Sequence, residues 1–336
     1  MSKKGGQIMA IRKIRHIIPG AVVAVLIGWA AFYVAGFHKT MDPLVLGIVS
    51  GMIVKFFIGK RYFLDKGFVF IARLFIPIGI IIYGVNLKFH QLNVIPITTW
   101  LQIIIGVIII FGLNYLLCSK LSVSTKTGLL ISTGTAICGA SAIAFATPAV
   151  EAESEHTGTS LLVITVWGLV GVVSYPLLQK YIGMSVDNYA LLCATTLPQT
   201  GLVKTAAAQY GNDCMQTAMT IKMARTCMII VLIYLLPWLE GLQKSGRTRT
   251  KHHNLWFLLG FILVGLAFSF IPQLRPSAKD VKPFAAILWT MAMTGLGLTV
   301  DLRTIANKIA KPLLLGLLLW LAVVTNFFIG YYGMGY

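Results

Sequence analysis

Eleven apolar stretches, each close to the length of a membrane-crossing helix, succeed one another along the 336 residues: 17–36, 44–59, 68–87, 97–118, 127–148, 157–179, 188–207, 215–239, 254–272, 283–300 and 312–333. A hydrocarbon core of about 30 Å takes about 20 apolar residues per helix. The 44–59 stretch is short and 188–207 is weakly apolar, so the count is ten or eleven. Composition agrees: 57% of residues are hydrophobic, 11% are charged and the mean hydropathy is +0.83, whereas soluble domains carry about 25% charged residues. A secreted enzyme, a disordered chain and a cytosolic globule are therefore excluded. The expected architecture is an all-α polytopic membrane protein. A basic cytoplasmic N-terminus (1–16) precedes a single transmembrane domain (17–333) made of an extra first helix (17–36) and two halves, 44–183 and 188–333. The first stretch reads as a helix and not as a signal peptide, because its apolar run exceeds about 7–15 residues and no small-x-small cleavage site follows.

The formal charge is +18, from 28 Lys+Arg against 10 Asp+Glu. On a soluble protein this would suggest nucleic acid; on a membrane protein it reports orientation. With the N-terminus inside, the inner segments hold Lys3, Lys4, Arg12, Lys13, Arg15, Lys60, Arg61, Lys66, Lys120, Lys126, Lys180, Lys244, Arg247, Arg249, Lys251, Arg303, Lys308 and Lys311. The outer segments hold Lys39, Lys88, Arg275, Lys279 and Lys282, together with the acidic Glu151, Glu153 and Glu155. The expected topology is N-terminus cytoplasmic and C-terminus external. Lipid is then the surrounding partner, and nucleic acid is not one.

Several chemistries lack their residues. No GxxxxGK[ST] loop is present for a nucleotide-driven pump. The five cysteines lie in or beside apolar segments without CxxC or Cys/His pairing, so no metal site is expected. The six histidines lie in or beside loops, and no acid–base constellation lies in the membrane, so an enzyme is not expected.

Three spans contain residues that interrupt helices. Span 5 holds Ser132-Thr133-Gly134-Thr135-Ala136-Ile137-Cys138-Gly139-Ala140-Ser141, span 7 holds Thr195-Thr196-Leu197-Pro198-Gln199-Thr200-Gly201, and span 10 holds Thr294-Gly295-Leu296-Gly297-Leu298-Thr299. Small residues also serve ordinary helix packing, but Pro198 removes a backbone donor mid-span. A broken helix exposes N–H groups at the positive end of a dipole, an anion site, while its freed carbonyls can hold Na⁺. The segments Ile82–Phe89 and Gly295–Leu302 resemble each other, aligning Gly84 with Gly297. Seven spans apart, they would be inverted copies.

Basic residues also fall within spans: Lys55, Arg73, Lys204, Lys222 and Arg225. Lys55 and Lys204 lie near helix ends and are expected to snorkel; Arg73 lies one to two turns into its span. Lys222 and Arg225 share one face of span 8, and each would cost about 2.5–3.5 kcal/mol at mid-bilayer. None of the ten acidic residues lies clearly mid-span. Buried cations without buried carboxylates suit an anion.

From Gly134 to Glu153 the sequence resembles the YeiH-type family of bacterial inner-membrane proteins, described as sulfate exporters. The resemblance rests on Gly134-Thr135-Ala136-Ile137-Cys138-Gly139-Ala140-Ser141-Ala142 and Ala146-Thr147-Pro148-Ala149-Val150-Glu151-Ala152-Glu153. Further matches are Arg73-Leu74, Tyr83-Gly84, Lys222-Met223 with Arg225, Gly295-Leu296-Gly297-Leu298-Thr299 and Ala310-Lys311-Pro312. The family looks related to the bile-acid symporter and cation/proton antiporter superfamily. That implies inverted repeats, a core domain of crossing broken helices, a panel domain and often a homodimer. Relatives carry a His-Glu pair where this chain has Pro198-Gln199, which puts Na⁺ or H⁺ coupling in doubt. The expectation is a secondary transporter of a small anion (sulfate, sulfonate or organic acid) with no cofactor beyond a possible coupling Na⁺ or H⁺. The alternatives are a Na⁺-coupled organic-anion symporter and a passive anion channel. The expected binding residues are Thr135, Cys138, Gly139, Ser141, Thr196, Gln199 and Thr200, with Lys222, Arg225 and Arg73 supplying positive potential.

Overall fold

A computed structural model describes residues 3–37, 41–59, 62–86, 89–243, 256–274, 276–300 and 308–333. Its longer elements, in chain order, are α1 (Lys3–Ala35), α2 (Pro43–Ile58), α3 (Tyr62–Tyr83), α4 (Ile97–Lys120), α5 (Thr125–Ala136), α6 (Ala140–Ala149) and α7 (Ser154–Ile182). They continue with α8 (Val186–Thr196), α9 (Thr200–Ala208), α10 (Asn212–Cys227), α11 (Ile229–Gln243), α12 (Trp256–Phe270), α13 (Ala278–Gly297) and α14 (Ala310–Gly333). Among the described residues α1, α3, α4, α7 and α14 are long and apolar enough to cross a membrane, and α10–α11 makes a sixth such span, bent by 42°. Shorter apolar helices include α2 and most of α12.

The helices pack as two bundles. One is α1, α2, α3, α12 and α13; the other is α4 to α11 with α14. Close backbone approach holds the first together: a Cβ on Gly51 of α2 would lie 2.5 Å from the Thr294 carbonyl of α13. The end of α2 is tied to the start of α3 by Lys55 and Asp65 at 2.7 Å, so Lys55 pairs with a carboxylate instead of snorkelling. Lys204 is exposed. The bundles touch mainly where α6 and α7 meet α2, α3 and α13. There Tyr83 stacks on Trp289 at 4.7 Å, and Phe145 of α6 meets Trp289 and Phe261 edge-on at 5.4 and 5.0 Å.

Two segments expected to cross as single spans fold back on themselves. In 127–148, α5 leads to a tip and α6 returns: the Lys126 ammonium, at the start of α5, donates to the Glu151 carbonyl beyond α6 at 2.6 Å. In 188–207, α8 and α9 do the same. Tyr189 donates to the Ala206 carbonyl (3.4 Å), and Tyr210 donates to the Met184 carbonyl (3.1 Å). Each run holds apolar length for one crossing, but its central break reverses the chain, and hydropathy alone does not distinguish a reversal from a kink. The bases of the two hairpins lie at opposite ends of α7, which starts directly after α6 and ends, at left-handed Gly183, directly before α8.

This changes the sidedness of two features. Glu155 pairs with Lys308 at 3.4 Å, and His156 meets Thr127 at 2.8 Å. The acidic cluster 151–155 therefore sits at the end of the molecule that carries Lys126 and Lys308, not at the opposite end. Lys180, near the end of α7, moves to the other end. The third expected break is also corrected: α13 runs unbroken through Thr294 and Gly295 and stops at Gly297.

Candidate functional site

Local sequence explains both tips. In the first hairpin α5 stops at Ala136; Ile137 and Cys138 leave helical geometry, and Gly139 takes φ +73° before α6 begins. In the second, Pro198 forces the preceding residue towards an extended conformation, and Leu197 has φ −72°, ψ 132°. The tips meet: a Cβ on Gly139 would lie 2.5 Å from Cγ and 3.0 Å from Cα of Gln199. Four half-helix ends thus converge in one buried region.

Lys222 and Arg225 are 1% and 3% exposed, and both are spent on backbone. Lys222 Nζ donates to the carbonyls of Leu197 (2.8 Å) and Pro198 (2.7 Å). Arg225 Nε donates to Ala136 (2.6 Å), and Nη1 donates to Ala194 (3.0 Å) and Leu197 (3.1 Å). Its Nη2 reaches the Thr135 carbonyl. These are the orphan carbonyls at the C-termini of α5 and α8, the negative ends of two dipoles. One guanidinium therefore spans both hairpins. Both side chains already have partners at negative dipole ends, which the sequence does not reveal.

The opposite ends, the N-termini of α6 and α9, receive no side-chain cap from Gly139 or Gln199. Around them Cys138 Sγ lies 2.7 Å from Ser141 Oγ, and the Tyr83 hydroxyl from α3 reaches Ser141. Gln199 Nε2 donates to Thr165 Oγ1 of α7 at 2.9 Å, which seats the second tip. Thr200 and Gly201 are half-buried, and a Cβ on Gly201 would meet open space.

Among the expected residues, Cys138, Gly139, Ser141, Gln199 and Thr200 lie at the two tips, with Lys222 and Arg225 behind them. Thr135 contributes its carbonyl to Arg225. Thr196 turns away, its hydroxyl occupied by Tyr175 (2.6 Å) and the Leu192 carbonyl (2.5 Å). The Arg73 side chain lies outside the described residues. Thr165 and Tyr175 were missed, and hydroxyls on a long apolar helix carry no sequence signal. Among the described residues no three His, Cys, Asp or Glu side chains group as metal ligands.

Two cavities flank the hairpins from opposite ends. One, of about 540 Å³, lies between α3, α13 and the base of the first hairpin, lined by Ala72, Ile76, Thr147, Glu151 and Leu296. The other, of about 520 Å³, lies between the starts of α4 and α8 and helix α10, lined by Thr99, Asp187, Asn188, Thr217 and Ile221. Ile221 is one turn before Arg225.

The model of the family Conserved hypothetical protein 698 matches residues 19–316. The chain belongs to that family. The YeiH-type resemblance is thereby upheld. Similar family members are named only as UPF0324 membrane proteins. That of Bacillus cereus is 29% identical over 308 residues, 89% of this chain and 89% of that protein. That of Agrobacterium fabrum is 27% identical over 315 residues (91% and 90%), and that of Archaeoglobus fulgidus is 27% identical over 301 (87% and 86%). No solved structure matches. With its apolar helices, this member of the family is a multi-pass membrane protein.

Proposed function

We propose that this protein is a secondary transporter that carries a small anion (a sulfate, sulfonate or organic acid) across the bacterial inner membrane by alternating access, without covalent chemistry. One observation carries the reading: Lys222 and Arg225 cap the freed carbonyls of both tips, while the N-terminus of α9 receives no side-chain cap and a Cβ on its Gly201 would meet open space. Amides at a positive dipole end are anion ligands. The same capping disfavours the Na⁺-coupled alternative, because the carbonyls of Thr135, Ala136, Ala194, Leu197 and Pro198 already accept from Lys222 and Arg225. The two lightly joined bundles correspond to a panel (α1–α3, α12, α13) and a core (the rest), and the opposed hairpins correspond to inverted halves. The two cavities would be the alternate entrances.

In the proposed topology both hairpins are re-entrant, the N-terminus is cytoplasmic and the C-terminus external. With Lys180 moved, seventeen loop basic residues lie inside and six outside, so the positive-inside bias persists. Cysteines placed at Glu153 and Val186 should react with an impermeant maleimide from the cytoplasmic and external sides respectively. The reverse pattern is what two through-crossing segments would give, and it would exclude the hairpins.

Transport is tested in proteoliposomes supplied with labelled sulfate, methanesulfonate, succinate or chloride. Wild-type vesicles should show saturable uptake of at least one. Gly201→Val, which fills the open space, should leave melting unchanged and weaken that uptake about tenfold, equivalent to about 1.4 kcal/mol. Failure to move any of the four, or uptake by the variant equal to wild type, would sink the reading; flux without saturation would make the protein a channel.

A further inference from the structure

Lys222 is fully buried, and its nitrogen makes two hydrogen bonds, to the Leu197 and Pro198 carbonyls. An ammonium offers three donors, whereas a neutral amine offers two and a lone pair. Two acceptors complete the neutral form and leave the charged form one donor in excess. The carbonyl end of α8 favours the charged form, and the charged neighbours oppose it. Arg225, one turn along the same helix, keeps its proton, and the other titratable group facing Lys222 is the Cys138 thiol of the first tip. On the packed elements, Cys193 faces Tyr189 and Cys214, and Asp187 faces Cys214. Lys204, Tyr115, Lys120 and Tyr234 are exposed, and Glu240 lies near the far end of α11. Among the described residues no carboxylate faces the amine.

We propose that Lys222 carries a coupling proton: neutral in the empty site, it takes up one proton as the anion enters, and anion and proton cross together. This rests on the anion-carrier reading above. The amine lone pair accepts H⁺ from water on the entry side, and the new N–H and its charge face the anion. On release the same N–H bond breaks and the proton leaves to water on the exit side, with no electron transferred. A monovalent anion then crosses without net charge movement.

The test uses purified full-length protein in weakly buffered detergent with a pH indicator and sulfate, methanesulfonate or succinate, binding being scored separately by thermal shift. Whichever anion binds should draw about one proton per protein, with affinity falling towards tenfold per pH unit once the amine titrates. Lys222→Met and Lys222→Arg should bind without proton uptake, while Cys138→Ser should retain uptake whatever its affinity. Wild-type binding with no proton uptake overturns the coupling and leaves the anion carrier standing. Uptake persisting in Lys222→Met, or lost in Cys138→Ser, also overturns it. Binding of none of the three anions removes the carrier and the coupling together. The wild-type measurement decides even if a lysine variant fails to fold.

Discussion

Replacing Arg225 with alanine is expected to destabilise the protein by about 3–5 kcal/mol, the range for removing one member of a buried charge arrangement. The size follows from what is left behind: the carbonyls of Thr135, Ala136 and Ala194 lose the donor that satisfies them, and Leu197 keeps Lys222 alone. Each buried group deprived of its partner costs about 1–3 kcal/mol, and the like-facing C-termini of α5 and α8 lose the charge between them. In detergent the apparent Tm should fall on the order of 10 °C. Arg225→Lys keeps the charge but not the planar fork that reaches two hairpins at once, so it should fall between alanine and wild type. Lys204→Ala, at an exposed cation nearby in sequence, should stay within about 0.5 kcal/mol. If Arg225→Ala melts within a degree or two of wild type, the guanidinium is not what joins the tips.

The second large effect belongs to Gly139→Val. Its φ of +73° and ψ of −125° lie where only glycine is relaxed, a strain of about 1–3 kcal/mol. The added Cβ meets Gln199 as well, at overpacking costs of about 1–3 kcal/mol. The displaced residue is the one that seats the second tip on Thr165, so saturable uptake should be lost along with stability. Gly59 separates the two causes, because its φ of +71° and ψ of −161° are similar but a Cβ there meets nothing within 4 Å. Gly59→Ala should show strain alone, and Gly139→Ala should melt distinctly lower. Equal melting of the two alanine variants would mean that the tips do not touch at Gly139.

The features most legible in the sequence were those with a side-chain signature. The Gly134–Ser141 and Thr195–Gly201 interruptions stood out because small residues and Pro198 break an apolar run. Lys222 and Arg225 stood out because charge is costly there. Their partners were hidden, since a backbone carbonyl is the same for every residue type. The direction of the chain after each break was hidden too: composition records how much apolar length is present, not whether it turns back. That one ambiguity carried over to Lys180 and to Glu151, Glu153 and Glu155, whose sides were counted along the chain. The Lys55–Asp65 pair joins two helices across a turn and leaves no helical spacing to find.

Arg225 lies 89 residues beyond Ala136 in the chain and 31 beyond Ala194. A ribosome therefore delivers the first hairpin, α7, the second hairpin and most of α10 before the group that closes both tips exists. Until then Thr135 and Ala136 have nothing in the finished chain's arrangement to bond. The centre of this protein is necessarily among the last parts of its first 225 residues to be completed during synthesis.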